Sequence, residues 1–155
     1  MAGAFLLVGS NPHRHAVHRG EGREQTVVRQ STGGRCCKIP GFFAALGFAI
    51  DPRFSGDTAV AVVISDTITV MLLPHERFKD FTPKAICDTS EAVEVLFSIG
   101  CDSREEVDSL VAKALAAGGT TYDEPEDLGF MYSHSFIDLD GHGWGVLHMS
   151  GSPEG

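Results

Sequence analysis

A chain of 155 residues with 43% hydrophobic content is sized for one globular domain and can bury a substantial core. Its net charge of -9 argues against nucleic acid as a partner, and its longest apolar clusters, residues 42–50 and 59–64, fall well short of the roughly 18 residues that span a bilayer. The start MAGAFLLVG lacks the basic flank and apolar length of a secretory signal, and Cys36, Cys37, Cys87 and Cys101 show no CxxC spacing, so a cytoplasmic protein with free thiols and no membrane partner is expected.

The N-terminal stretch is made differently from the rest. Residues 1–40 carry six Arg and Lys against two Glu, whereas residues 41–155 carry six against nineteen Asp and Glu. Residues 9–38, rich in Gly, Arg, His, Ser and Gln, follow neither a period of 2 nor one of 3.6. Residues 1–38 are therefore expected to be a poorly ordered basic segment, with the domain occupying 39–151. The apolar AFLLV at 4–8 could form a strand, but a long polar connection would then follow it. His13, His15 and His18 with Cys36 and Cys37 match no standard zinc-finger spacing.

From Pro40 onward regular elements can be read. Phe42, Phe43 and Leu46 sit at helical spacing, with Pro40 near the start and Gly47 placed to end the helix. Residues 59–64 and 68–73 are β-branched runs around Ser65, Asp66 and Thr67, which reads as a buried hairpin ended by Pro74. Residues 75–89 read as a surface connection. Residues 92–99 alternate strictly and predict a strand, with Val93, Val95, Phe97 and Ile99 on one face and Glu94, Leu96 and Ser98 on the other. Ser103 and Glu106 form a capping box that opens a helix with the apolar stripe Val107, Leu110, Val111, Ala114 and Leu115, closed by Gly118 and Gly119. A short strand at 120–123, an acidic loop holding Glu124, Glu126 and Asp127, and a terminal hairpin follow; its strands are 130–138 and 144–149, joined by the DGHG turn. Two βαβββ modules thus stand in tandem, the first without a clear opening strand, in an α+β fold of mostly antiparallel sheet with helices outside.

The segments FFAALGF (42–48), ITVMLL (68–73), EEVDSLVAKALAAGG (105–119) and FIDLDGHGW (136–144), in this order, resemble the vicinal-oxygen-chelate superfamily. That superfamily includes glyoxalase I (lactoylglutathione lyase), extradiol dioxygenases, fosfomycin-resistance enzymes and bleomycin-resistance proteins. The resemblance covers residues 41–150 and implies a cup built from the two modules, and commonly a homodimer. It also implies one divalent metal (Ni, Zn, Fe or Mn) held by four side chains from the first and last strands of each module. The family's ligand positions fall at Leu72, at Glu94 and at Gly145. The fourth belongs to the first strand of module one. Leu72 and Gly145 offer no donor, so at most two of the four positions survive.

The resemblance leaves two functions open. One is a lyase or dioxygenase relative with a degraded metal site, in which Glu94 acts as a general base beside a substrate carbonyl. The other is a metal-free protein that sequesters a small molecule, as bleomycin-resistance relatives do, with Leu72, Tyr132 and His134 as contacts. Against these stand plainer readings: Glu94 as a hydrated carboxylate, His142 as a turn residue, and Tyr132 and His134 as ordinary sheet residues of undetermined face. A third outcome, a non-functional product, follows from the break at CCKIPG (36–41), where the family has a strand and helix start. Translation out of frame would account for it, and the other two reading frames of the upstream DNA test it.

Overall fold

The tertiary structure, a computed structural model, describes residues 2–8 and 38–151. Helix α1 (Ile39–Leu46) begins with Pro40 in its first turn, where a missing N–H costs nothing. It stops at Gly47, whose φ of 102° lets its own N–H and that of Phe48 return to the carbonyls of Ala44 and Phe43. α1 buries Ile39, Phe42, Phe43 and Leu46.

Strands β1 (Ala2–Val8), β2 (Ala49–Ile50), β3 (Val60–Val63) and β4 (Ile68–Pro74) make one sheet in the order β1-β4-β3-β2. A short helix, α2 (His75–Phe78), stands where only a connection was expected. Strands β5 (Leu96–Gly100), β6 (Glu126–Asp127), β7 (Met131–Ile137) and β8 (Gly143–Met149) make the second sheet, in the order β5-β8-β7-β6. Between β5 and β6 runs α3 (Arg104–Ala116). Ser103 Oγ caps it by accepting from the Glu106 N–H at 3.2 Å, while Glu106 reaches back to the N–H of Asp102 at 2.8 Å instead of to Ser103. Leu115, expected in the buried stripe, is 41% exposed, because it lies at the margin of the face made by Val107, Leu110, Val111 and Ala114.

Both sheets place the module's first strand beside its last, but with opposite polarity. β5 runs parallel to β8, whereas β1 runs antiparallel to β4, pairing Ala4 with Leu72. Only residues 101–103 separate β5 from α3, which begins the crossover that brings the chain back to β8 parallel to β5. Residues 9–38 separate β1 from α1, a length that admits either direction. The opening strand missing from the sequence reading is thus supplied by Ala2–Val8, in reverse. The histidines at 13, 15 and 18 and the cysteines at 36 and 37 lie outside the described residues.

One core joins the two modules. Phe42 and Phe43 of α1 approach Phe136 and Trp144 of the second sheet, with ring centroids 6.1 Å and 5.3 Å apart, and Phe97 stacks on Trp144 at 4.5 Å. Val60 and Val62 of β3 and Val70 and Leu72 of β4 complete it from the first sheet.

The expected strand at 92–99 starts only at Leu96. Leu96 pairs with Gly143, and the chain before Gly143 turns away through residues 138–142, so residues 92–95 have no ladder pairing with β8. Val93 is accordingly 75% exposed instead of buried. The strand expected at 120–123 is likewise reduced to a single bridge from Thr120 to Ile137, and β6 forms later, at Glu126–Asp127.

Candidate functional site

The second sheet has two unlike faces. Phe97, Trp144 and Phe136 are register partners on the face packed against the helices. By the alternation of strands, the opposite face carries Ser98, Gly145 and Ser135 in one row and Ser133 with Leu147 in the next. Small side chains there leave a cleft of about 560 Å³, bounded by this floor and by residues 122–126. Gly145 keeps the floor open: a Cβ added to it would meet nothing nearer than 3.5 Å.

The bounding segment is held by hydrogen bonds. Asp123 accepts from Ser135 Oγ at 2.7 Å through Oδ2 and from Thr121 Oγ1 at 2.9 Å through Oδ1. His134 brings Nε2 to 3.3 Å from the Asp123 carbonyl oxygen. A serine, an aspartate and a histidine therefore meet at the cleft, but both others converge on the aspartate. Acyl transfer needs the serine hydroxyl to donate to the histidine, and that order is not present here.

No protein-family profile matches the sequence, and no curated protein matches it. Among solved structures, the hypothetical protein SA1046 from S. aureus is 33% identical, with a TM-score of 0.62 and coverage of 73% of this chain and 84% of that one. At that identity and coverage, the two chains belong to one family. A glyoxalase-related enzyme from Fulvimarina pelagi superposes with a TM-score of 0.62 at 17% identity, covering 79% of this chain and 86% of that one. A glyoxalase/bleomycin resistance protein/dioxygenase family enzyme from Burkholderia phytofirmans PsJN gives 0.60 at 17%, covering 74% and 90%. The chain has the fold of these glyoxalase-related structures, the vicinal-oxygen-chelate fold. Its α+β architecture of tandem modules is that of these structures.

Within the vicinal-oxygen-chelate fold, the residues singled out from the sequence fall in different places. Gly145 does lie in the cleft, and its register partner across the sheet is Ser98. Leu72 is 3% exposed and packs in the core with Val70, so it turns toward the helices and not into the cleft. Glu94 precedes β5. It is exposed and lines a separate crevice of about 30 Å³ with Thr89, Tyr122 and His142, which takes it off the cleft floor where a general base would stand. Tyr132 faces α3, where its hydroxyl donates to Asp108 Oδ1 at 2.8 Å. That bond, reinforced by burial, raises the phenol above its ordinary pKa. The Arg104 guanidinium lies 5.2 Å from the Tyr132 ring and pairs with Asp127, whose carboxyl is held below the usual range by that bond and by the Gly129 N–H. Of the four expected site residues, only His134 adjoins the cleft, and it does so from the helix side of β7, sharing the parity of Tyr132 and reaching the Asp123 carbonyl at the edge.

Sequence reasoning missed Ser98, Asp123, Ser133 and Ser135. The only available signal was the alternation of serines along β7, which the neighbouring Tyr132 and His134 outweighed. Among the described residues the donor set of a divalent metal is not assembled. Gly145 and Leu72 have no ligating atom, the β1 sequence AGAFLLV contains no ligating side chain, and among the described residues no three His, Cys, Asp or Glu side chains converge. Among the described residues, no helix is long and apolar enough to cross a membrane.

Proposed function

We propose that the protein binds a small organic molecule in the cleft of its second module without a metal, as a sequestering or carrier protein on the vicinal-oxygen-chelate fold. The observation that carries this reading is Gly145. It lines the cleft of about 560 Å³ with open space where a side chain would stand, and by the resemblance it falls where the superfamily carries a metal-binding carboxylate. A lyase or dioxygenase on this fold would depend on a Lewis-acidic metal, and the chain's own residues at those positions do not form its cage. What they do is orient: Ser98 and Ser133 present hydroxyls, and Ser135 fixes Asp123 in place at the edge.

The test is metal loading. Protein incubated with Ni, Zn, Fe or Mn and desalted should retain substoichiometric metal and show no metal-dependent turnover of hemithioacetal or catechol substrates. One tightly held equivalent with turnover would overturn the reading. In parallel, Gly145→Trp should fill the cleft and abolish binding of any ligand found by a thermal-shift screen, with the folded state retained.

A further inference from the structure

The chemistry of the cleft wall narrows the ligand. Asp123, Glu124 and Glu126 all line it, and no Lys or Arg is among its lining residues. Arg104 is engaged elsewhere, paired with Asp127 against the Tyr132 ring. The Asp123 carboxylate, with two hydroxyls already donating to it, is still 41% exposed, so lone pairs remain for a ligand's donors. Because Ser135 on β7 holds it, little further ordering is needed when a ligand arrives. On the same cleft stand two exposed apolar groups, Leu96 at 62% and Tyr122 at 70% exposure, whose surface an apolar ligand would remove from water.

We propose that the cleft takes a small organic cation with an apolar or aromatic body. Its ammonium or guanidinium group is received by Asp123, flanked by Glu124 and Glu126, and its body lies over Gly145 against Leu96 and Tyr122. Charge-assisted hydrogen bonds to a fixed carboxylate are the strong kind, and the neighbouring acids draw a cation toward the cleft while repelling an anion of the same shape. This rests on the reading of the cleft as a metal-independent binding site, and the experiment separates the two.

Three probes that share one skeleton, 2-phenylethylamine, 2-phenylethanol and phenylacetate, are titrated into the full-length protein and followed by amide NMR shifts. The amine should bind about tenfold tighter than the alcohol, the ratio expected of one partly screened ion pair, and phenylacetate weakest. Added salt should shrink the ratio. Asp123→Asn should shrink it as well, as should the double variant Glu124→Gln/Glu126→Gln, which alters only exposed side chains and guards against misfolding at Asp123. Gly145→Trp should abolish binding of the amine. If alcohol or carboxylate binds as tightly as amine, and Gly145→Trp still blocks it, the cation assignment falls while the cleft remains a binding site. If no probe binds at millimolar concentration, or binding ignores Gly145→Trp, both readings fall.

Discussion

Asp138→Asn is a sharp test of how the terminal hairpin is built. The Asp138 side chain is 5% exposed and sits at the end of β7, where Oδ1 accepts from the N–H groups of Asp140 at 2.9 Å and His142 at 3.0 Å. Oδ2 accepts from Trp144 Nε1 at 3.0 Å. Asparagine keeps the first two bonds only by pointing its oxygen at the main chain, which sets its amide N–H groups against the indole N–H. One charge-assisted bond, worth about 1.5–3 kcal/mol, is then lost and a buried donor stranded, so a total of about 2–4 kcal/mol is expected. In urea, with a slope of about 1–3 kcal/mol/M, the midpoint should fall by about 1–2 M. Far-UV circular dichroism is the readout, because Trp144 is the chain's one tryptophan and takes part in the interaction. In a Trp144→Phe background the clash disappears, so the same substitution should cost at least about 1 kcal/mol less. A midpoint shift under about 0.3 M, or an equal cost in both backgrounds, would refute this account of the turn.

Glycine positions give a contrast within one assay. A Cβ at Gly119 would lie 2.7 Å from the Ile137 carbonyl oxygen and 3.1 Å from that of Ala114, so Gly119→Ala should lose about 1–3 kcal/mol in thermal unfolding, whereas Gly145→Ala, with nothing nearer than 3.5 Å, should stay within about 0.5 kcal/mol. Arg104→Gln should let the Asp127 carboxyl rise toward the ordinary range in an NMR pH titration. Because the pair depresses the folded value, its contribution to stability is present above the unfolded carboxylate pKa of about 3.9 and lost as pH falls through the lower folded one, so the stabilities of variant and parent should converge in acid. Asp108→Asn should lower the Tyr132 phenol pKa toward its ordinary value, seen at the ring carbon bearing the hydroxyl, and Tyr132→Phe should leave cleft binding unchanged.

Much of the architecture was legible in the sequence because it depends on local pattern. Pro40 and Gly47 bracket α1, Ser103 caps α3, and the DGHG turn sets the final hairpin, each through interactions within a few residues. The small size of Gly145, where the resemblance implies a metal-binding carboxylate, was equally visible in the linear order. What the sequence left undecided was set by partners far along the chain. Strand β5 begins at Leu96 and not at residue 92 because β8, its one neighbour among the described residues, begins at Gly143, a fact that alternation within 92–99 does not contain. Tyr132 and His134 share a parity, but which face meets the helices is determined by the packing of Phe136 and Trp144 under α1. Asp123 becomes a feature of the cleft only because Ser135, twelve residues later, lies beside it across a sheet edge. Residue types and their periodicity specify the elements. The faces they present, and therefore the site, come from burial of one shared core, which only the tertiary structure decides.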